Sequence, residues 1–170
     1  MDALDETDLQ ILQILQEDGR ISNAELAQRV RLAPPTVLRR VKLLEERGYI
    51  KGYIALVDPL ALGLTVTAFI FVESSAGCEL DEVGRFLMQL PGVQEVHRLI
   101  GEWCFLLKVR TKDPQALEEL IYRKLRSHPG VRRTLTTLAT SSQYETPAIL
   151  LPVPERSKEP AGQVPDTMTR

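Results

Sequence analysis

The residues with the clearest chemical potential form a basic segment near the start of the chain, between Arg20 and Lys51. This segment holds eight lysines and arginines against three glutamates, although the whole chain has a net charge of -2. Its basic residues are Arg20, Arg29, Arg31, Arg39, Arg40, Lys42, Arg47 and Lys51. Guanidinium and ammonium groups bind phosphate oxygens, and a local cluster of them attracts a polyanion. The segment therefore predicts a surface that faces the phosphates of a nucleic acid.

Three amphipathic helices are predicted to position this basic surface. Leucine and isoleucine recur at helical spacing over residues 5–17, and a similar apolar pattern returns over residues 23–30. Ser22 and the glutamate three residues later form a capping box, which marks the start of the second helix. The pair Pro34-Pro35 fits the first turn of a third helix, which Gly48 ends. A short helix, a turn and a basic helix are typical of a helix-turn-helix, whose second helix enters the major groove of DNA.

The third predicted helix carries most of the residues that we expect to contact DNA. Arg39 has a fork of donors that can bond both acceptors on a guanine edge, whereas Arg40 and Lys42 are expected to hold phosphates. Arg31, in the turn before the helix, is expected to add a phosphate contact. The predicted DNA-binding set is Ser22, Arg31, Pro35, Thr36, Arg39, Arg40 and Lys42. The alternative is a three-helix bundle with a solvated basic face.

A second domain is predicted from the change of pattern after the third helix. β-prone residues bounded by turn formers indicate a hinge strand over 53–63. Strands and helices then follow in the order βαββαβ, the ferredoxin-like split unit. We therefore expect an α+β fold with a helix-turn-helix domain over 1–52 and a ferredoxin-like domain over 64–150. Residues 151–170 are rich in proline and polar residues, which predicts a disordered tail.

Few other residues could carry chemistry. Cys78 and Cys104 are too few for a disulfide framework, and His97 and His128 lack metal-ligand spacing, so we predict no metal site and no cofactor. No apolar run approaches the roughly 20 residues that cross a membrane, which argues against a membrane partner. The acidic N-terminus does not resemble a secretory signal, so we expect a cytoplasmic location.

Long segments of the chain resemble the leucine-responsive regulator and AsnC family, the feast/famine transcription regulators. The matching segments are LDETDLQILQILQEDGRISNAELAQRV, TVLRRVKLLEERGYIKGYIALVDP, IGEWCFLLKV and HPGVRRTLTTLA. The resemblance implies a winged helix-turn-helix, a hinge strand, and a βαββαβ domain that forms dimers and often octamers. It also implies double-stranded DNA as a partner, and an amino acid or similar metabolite bound between the C-terminal domains of neighbouring dimers.

The resemblance implies an effector site around Gly101-Glu102-Trp103-Cys104. A glycine turn exposes backbone N–H and C=O groups that can hold the carboxylate and ammonium of a free amino acid. Cys104 stands where the family has an aspartate that would suit an ammonium. The implied facing wall consists of Thr137, Leu138, Thr140 and Ser142. The alternative is a plain hairpin turn with Trp103 packed as core.

The helix-turn-helix differs from the family pattern at two positions. Arg31 stands where the family has a turn glycine, and Ala33 stands where it has a serine that caps the recognition helix. The lost cap costs on the order of 1 kcal/mol, which packing and the two prolines can offset, so we still expect the helix to form.

Functions of different classes are compatible with these features. The leading hypothesis is a transcription regulator that reads half-sites one helical turn apart and responds to a ligand or to its oligomeric state. The alternative is an enzyme similar to the sirohaem decarboxylases, which resemble the same architecture and use histidines near a tetrapyrrole; His97 fits this alternative. A stand-alone binding module is a third interpretation. The basic segment and the absence of paired acid/base residues favour the regulator, so we expect no enzymatic activity.

Overall fold

The chain divides into two compact units in the computed structural model, which describes residues 4–152. Among these residues, the N-terminal unit comprises 4–55 together with 146–152, and the C-terminal unit comprises Leu56–Glu145. Most of the predicted disordered tail, from residue 153 onwards, lies outside the described residues. The two-domain organisation agrees with the α+β fold expected from the sequence.

Three helices build the N-terminal unit: α1 (Glu6–Glu17), α2 (Asn23–Arg29) and α3 (Pro34–Glu46). A reciprocal cap begins α1, because the N–H of Asp8 donates to the Asp5 carboxylate at 2.8 Å and the N–H of Asp5 donates to the Asp8 carboxylate at 3.4 Å. Donors in the first turn of a helix have no partner within the helix, so this cap satisfies two of them.

The other two helices begin as the sequence predicts. The N–H of Glu25 donates to Oγ of Ser22 at 3.2 Å and the N–H of Ser22 donates to the Glu25 carboxylate at 3.1 Å, which confirms the capping box of α2. Ala33 precedes α3 and provides no side-chain cap, yet the helix forms with prolines in its first turn. Proline lacks the N–H that a cap would otherwise satisfy and already has a helical φ.

Each helix contributes a fully buried side chain to one core. Ile11 of α1, Leu26 of α2 and Val37 of α3 are at most 1% exposed. Burying such a side chain stabilises a fold by about 1.5–3 kcal/mol, so this core holds the three helices together.

A later stretch of the chain also packs in the N-terminal unit. Gln16 bonds both backbone groups of Ile149, accepting from its N–H at 2.7 Å and donating to its carbonyl at 3.2 Å. Leu151 packs against the helical core. These residues fall in the predicted C-terminal domain and in the predicted tail, so the observed division differs from the expected one here. A single side-chain amide recognising a distant backbone leaves no periodic signal in a sequence.

The predicted hinge strand is absent. Residues 50–58 have no regular secondary structure, and a turn follows at 59–63. A β-strand needs a hydrogen-bonding neighbour, and no strand of the described chain pairs with this segment. Its start is fixed to α3 instead, since the hydroxyl of Tyr53 donates to Glu45 at 3.0 Å. Burial and this carboxylate raise the pKa of Tyr53 to about 12.

The C-terminal unit has the predicted βαββαβ order. Its elements are β1 (Val66–Ser74), α4 (Leu80–Met88), β2 (Val93–Arg98), β3 (Phe105–Thr111), α5 (Pro114–Glu119), which continues as a π-helical segment (Leu120–Leu125), and β4 (Val131–Ala139). All three strand pairings are antiparallel, and the sheet order is β2-β3-β1-β4. This order is the ferredoxin-like arrangement predicted from the sequence.

The helices bury one face of the sheet, and the other face is only partly covered within the described chain, since Thr67 and Arg110 are buried there beside Glu145. Ala68, Ile70 and Val72 alternate along β1 and are fully buried in a core shared with the helices. Phe69 and Phe71, which lie between them, belong to the opposite face and are only half-buried. Alternation with a period of two separates the two faces of a strand, so the helices cover one face only.

Gly92 fixes the entry into β2. Its carbonyl accepts from the N–H of Arg110 at 2.8 Å, and its φ is +78°. A Cβ at this position would collide with the Arg110 carbonyl oxygen. Gly77 has a similar φ of +81° but nothing within 4 Å of where a Cβ would lie.

We predict that Gly92→Ala destabilises the C-terminal unit by about 2 kcal/mol more than Gly77→Ala, because only the first adds a steric collision to the backbone strain. Urea unfolding followed by fluorescence of Trp103, the one tryptophan of the chain, measures both. Equal losses for the two variants would contradict the close approach of Gly92 to β3.

Candidate DNA-contacting surface and effector loop

The turn between α2 and α3 reverses the chain through a left-handed residue. Arg31 has a φ of 56°, the only positive φ outside glycine among the described residues. The N–H of Leu32 then donates to the carbonyl of Ala27 at 3.0 Å, which closes the end of α2. A side chain other than glycine pays roughly 1–2 kcal/mol for this conformation. The position where the sequence departs from the family's glycine is therefore the position where the backbone requires one.

The helical wheel of α3 separates a core face from a basic outer face. Successive residues are turned by about 100°, so Pro35, Arg39 and Lys42 share one stripe along the helix. All three are exposed, whereas Val41 and Leu44 on the opposite side are buried. The outer stripe is thus exposed to solvent and carries two positive charges.

The other predicted DNA-binding residues surround this stripe in different ways. Arg31 is exposed in the turn, and Thr36 is half-buried beside the stripe. The hydroxyl of Ser22 donates to the Glu25 carboxylate at 2.7 Å, so it serves the cap of α2. The structure therefore brings Arg31, Pro35, Arg39 and Lys42 to solvent and gives Ser22 a structural role.

Arg40 differs from its neighbour Arg39. Its Nη1 lies 2.6 Å from Oδ1 of Asp8 and 2.7 Å from Oδ2 of Asp5, at the start of α1. These hydrogen bonds raise the pKa of Arg40. Burial alone would raise the pKa of Asp5, but the N–H of Asp8 and the guanidinium outweigh it and lower that pKa. The group for which we predicted a phosphate contact is occupied by two carboxylates.

The predicted effector loop forms an irregular hairpin between β2 and β3. The N–H of Leu99 donates to the Cys104 carbonyl at 2.8 Å, and the N–H of Cys104 donates to the Val72 carbonyl at 2.9 Å. Gly101 has a φ of 139°, and nothing lies within 4 Å of where its Cβ would be. The tip of the loop is therefore open, and its backbone groups are accessible.

Two side chains of the loop are held by residues that the sequence analysis missed. The Trp103 ring lies 5.9 Å from the ring of Phe71, and the guanidinium of Arg133 lies 4.5 Å above it. Arg133 also bonds the Glu102 carboxylate at 2.7 Å, and its pKa is raised by Glu102 and by Glu73. The pKa of Glu73 is lowered, with the bond from Arg133 as the largest cause.

The loop and its predicted facing wall do not meet within one chain. Val72, beside the loop, pairs with Thr134, whereas Thr137 pairs with Phe69. At about 3.3 Å per residue, three residues along the strand separate them by about 10 Å. Thr140 and Ser142 lie still further along the chain, and Leu138 is on the other face because it pairs with Ala68. Within one chain, Glu102 and Trp103 of the loop contact Arg133 and Phe71 instead.

Neither histidine lies in a constellation that would hold a metal. His97 pairs with the Glu95 carboxylate at 3.0 Å, and His128 stacks on Phe86 with ring centroids 4.1 Å apart. Within residues 4–152, no group of three or more acidic, histidine or cysteine side chains has metal-binding geometry. No helix in that range is long and apolar enough to cross a membrane.

The two units define a class of protein, a DNA-binding domain joined to a ligand-binding domain. Residues 4–51 match the model of winged helix-turn-helix DNA-binding domains. Residues 67–149 match the model of the Lrp/AsnC ligand-binding domain. DNA and a small-molecule effector are therefore the two partners of this class.

Comparison with individual proteins shows which DNA-binding regulators this chain is similar to. The leucine-responsive regulatory protein of Escherichia coli K12 is 38% identical over 135 residues, 78% of this chain and 82% of that protein. A transcriptional regulator of Neisseria meningitidis in complex with L-methionine superposes with a TM-score of 0.83 at 34% identity, over 87% of this chain and 97% of that one. An AsnC family regulator of Agrobacterium tumefaciens gives 0.81 at 28% identity, over 86% and 97%.

The chain belongs to the Lrp/AsnC family of transcription regulators. It is a DNA-binding regulator and not an enzyme, since its homologues and structural neighbours are regulators. The sirohaem decarboxylase alternative receives no support from them.

We predict that Arg31→Gly stabilises the N-terminal unit by about 1 kcal/mol, because glycine adopts a positive φ without steric cost. The matched control Arg29→Gly, at the end of α2, removes the same side chain from a helical position and destabilises the unit by a similar amount. Thermal unfolding followed by circular dichroism compares the two variants. A loss of stability in both would contradict strain at Arg31.

Proposed function

We propose that this regulator binds duplex DNA through the outer stripe of α3, defined by Pro35, Arg39 and Lys42, and that a small metabolite bound in an assembly of several copies controls it. The observation that carries the DNA part is that this stripe is exposed and basic on the helix of a helix-turn-helix that enters the major groove. The opposite side of α3 packs into the core through Val37, Val41 and Leu44.

The residues of the stripe have different tasks on the duplex. Arg39 lies in the first half of α3, where side chains reach base edges, and its planar fork suits the two acceptors of guanine. Lys42, one turn later, is a point charge that suits a phosphate. Arg31 in the preceding turn adds a second phosphate contact, and Thr36 supplies a hydroxyl beside the base-reading position. Ser22 contributes indirectly, by capping the start of the helix that precedes α3.

The sheet face opposite the helices supports self-association. It presents apolar side chains from three strands, namely Phe69, Phe71, Leu106 and Leu135. Leu135 is 49% exposed, and the linker residues Ile54, Leu56 and Val57 are at least 62% exposed. Apolar side chains that stay partly exposed on a sheet face mark an interaction site, and two copies of one chain pair commonly as a two-fold dimer. We infer a homodimer, and a larger assembly such as an octamer built from it.

The effector part of the proposal rests on the open loop at Gly101. The structural relative from Neisseria meningitidis was solved with L-methionine, which supports an amino acid or a similar metabolite. Backbone groups of Gly101, Glu102 and Trp103 line one side of the site, and Cys104 follows them with its own N–H and C=O bonded to Val72 and Leu99. Thr137 lies too far along β4, Leu138 is on the other face of the sheet, and Thr140 and Ser142 follow the end of β4. We therefore infer that these four residues complete the site from another copy.

The side chains around the loop favour a ligand with a carboxylate. Cys104 is half-buried and carries no charge for an ammonium group. Arg133 is 53% exposed at its side chain and offers a guanidinium next to the Trp103 ring. A ligand carboxylate can bond this guanidinium in place of the exposed Glu102, while Glu73 stays bonded to its Nε. We place the protein in the cytoplasm, where it has access to DNA.

We predict that Arg39→Ala and Lys42→Ala each weaken DNA binding, and that Lys42→Ala also reduces the slope of log affinity against log salt by about 0.9, the value of one phosphate contact. Lys112→Ala is the control, because Lys112 is an exposed cation of the C-terminal unit. Fluorescence anisotropy with a labelled duplex across a salt series measures both quantities. Wild-type affinity for both α3 variants would show that another surface binds DNA.

We predict that Gly101→Trp abolishes any change of DNA affinity caused by added amino acids, because a bulky side chain fills the open tip of the loop. Gly77→Trp is the control, since Gly77 has a positive φ and open space but lies before α4. L-methionine and the other common amino acids are added singly to the binding assay. A response that survives in Gly101→Trp would place the effector elsewhere.

A further inference from the structure

We propose that Arg40 is a positioning residue, which sets the angle of α3 against α1 by bridging Asp5 and Asp8, and that it makes no contact with DNA. This inference rests on the proposed function, because it assumes that the outer stripe of α3 meets the duplex. It reassigns one of the basic residues of α3 from DNA recognition to the support of that recognition.

The position of Arg40 on the helix supports this role. With about 100° per residue, Arg40 is turned by about 100° from Arg39 and points to the border between the outer stripe and the core. Its side chain is 25% exposed, and its Nε is buried without a hydrogen-bond partner within the described residues. Arg39, one residue earlier, is exposed and appears in no ion pair of the described chain. Two adjacent arginines therefore occupy opposite kinds of environment.

The carboxylates that receive Arg40 are themselves fixed. Asp5 and Asp8 cap each other's backbone at the start of α1, so neither side chain can leave without opening the helix end. The positive end of the α1 dipole further stabilises both negative charges. Arg40 thus bonds carboxylates that are fixed to the start of α1. The bridge therefore restricts the rotation of α3 relative to α1.

A phosphate contact by Arg40 would carry an unfavourable consequence. The guanidinium would have to leave two carboxylates at 2.6 and 2.7 Å, and these would then lie unpaired near a polyanion. Arg39 and Lys42 have no such competing partner within the described residues. Arg40 therefore stays bonded to Asp5 and Asp8 when the protein binds DNA.

Two sets of variants test the proposal through the salt dependence of DNA binding. Arg40→Gln removes the guanidinium, and the double variant Asp5→Asn with Asp8→Asn keeps Arg40 but removes both charges that hold it. Asparagine still caps a helix, so α1 is retained. Glu6→Gln is the control for loss of a nearby negative charge, and Arg40→Lys is the conservative variant. All are assayed below their measured unfolding temperature.

We expect Arg40→Gln and the double asparagine variant each to bind the specific duplex on the order of tenfold more weakly, with the salt slope of the wild type. Arg40→Lys recovers part of the affinity, and Glu6→Gln binds at least as tightly as the wild type. The slope of log affinity against log salt distinguishes the two roles. Loss of a phosphate contact would reduce this slope by about 0.9, whereas loss of a positioning residue leaves it unchanged.

Two results would overturn the proposal. If Arg40 contacts phosphate, its loss lowers the slope and the double asparagine variant binds DNA more tightly, with a steeper slope. If the bridge only stabilises the fold, both variants lower the unfolding temperature but bind with wild-type affinity while folded. Failure of the proposed function is recognised separately, because then Arg39→Ala and Lys42→Ala bind DNA as well as the wild type.

Discussion

The packing of α3 on the rest of the helix-turn-helix is the constraint on which DNA recognition depends. Val37, Val41 and Leu44 enter one core with α1 and α2, so the outer stripe of the helix must face solvent. Apolar contacts alone allow small sliding and rotation, because they have no direction. The bridge from Arg40 to Asp5 and Asp8 adds directed bonds at the edge of that core. Core and bridge together define the orientation of α3.

The same separation of a supporting face from a working face recurs in the C-terminal unit. One face of the sheet is buried under α4 and α5, while the other presents half-buried aromatic and aliphatic side chains. Strand register then decides which residues can share a site. It places Arg133 next to the Trp103 loop and moves Thr137 away from it. A site built from both the loop and the far end of β4 therefore requires a second copy of the chain.

Much of this fold follows from local pattern in the sequence. Helical periodicity, the capping box at Ser22 and the order of strands predicted three helices and a ferredoxin-like sheet, because each depends on neighbours within a few residues. The hinge strand was wrong because a β-prone segment forms a strand only where a partner is available. The phosphate contact expected of Arg40 stays a prediction: composition reports its charge but not its pairing with Asp5 and Asp8, although its place on the helical wheel already sets it apart from Arg39. Arg133 could not be found, because sheet register is not readable from one sequence.

The most direct measurement of the central claim is equilibrium binding of the wild-type protein to a duplex from the region upstream of its own gene, with random duplex as competitor, across a salt series. The account predicts a preference for the specific duplex on the order of a thousandfold, and log affinity that falls linearly with log salt. Equal affinity for both duplexes, or no binding at any salt concentration, would contradict a regulator that reads DNA through α3.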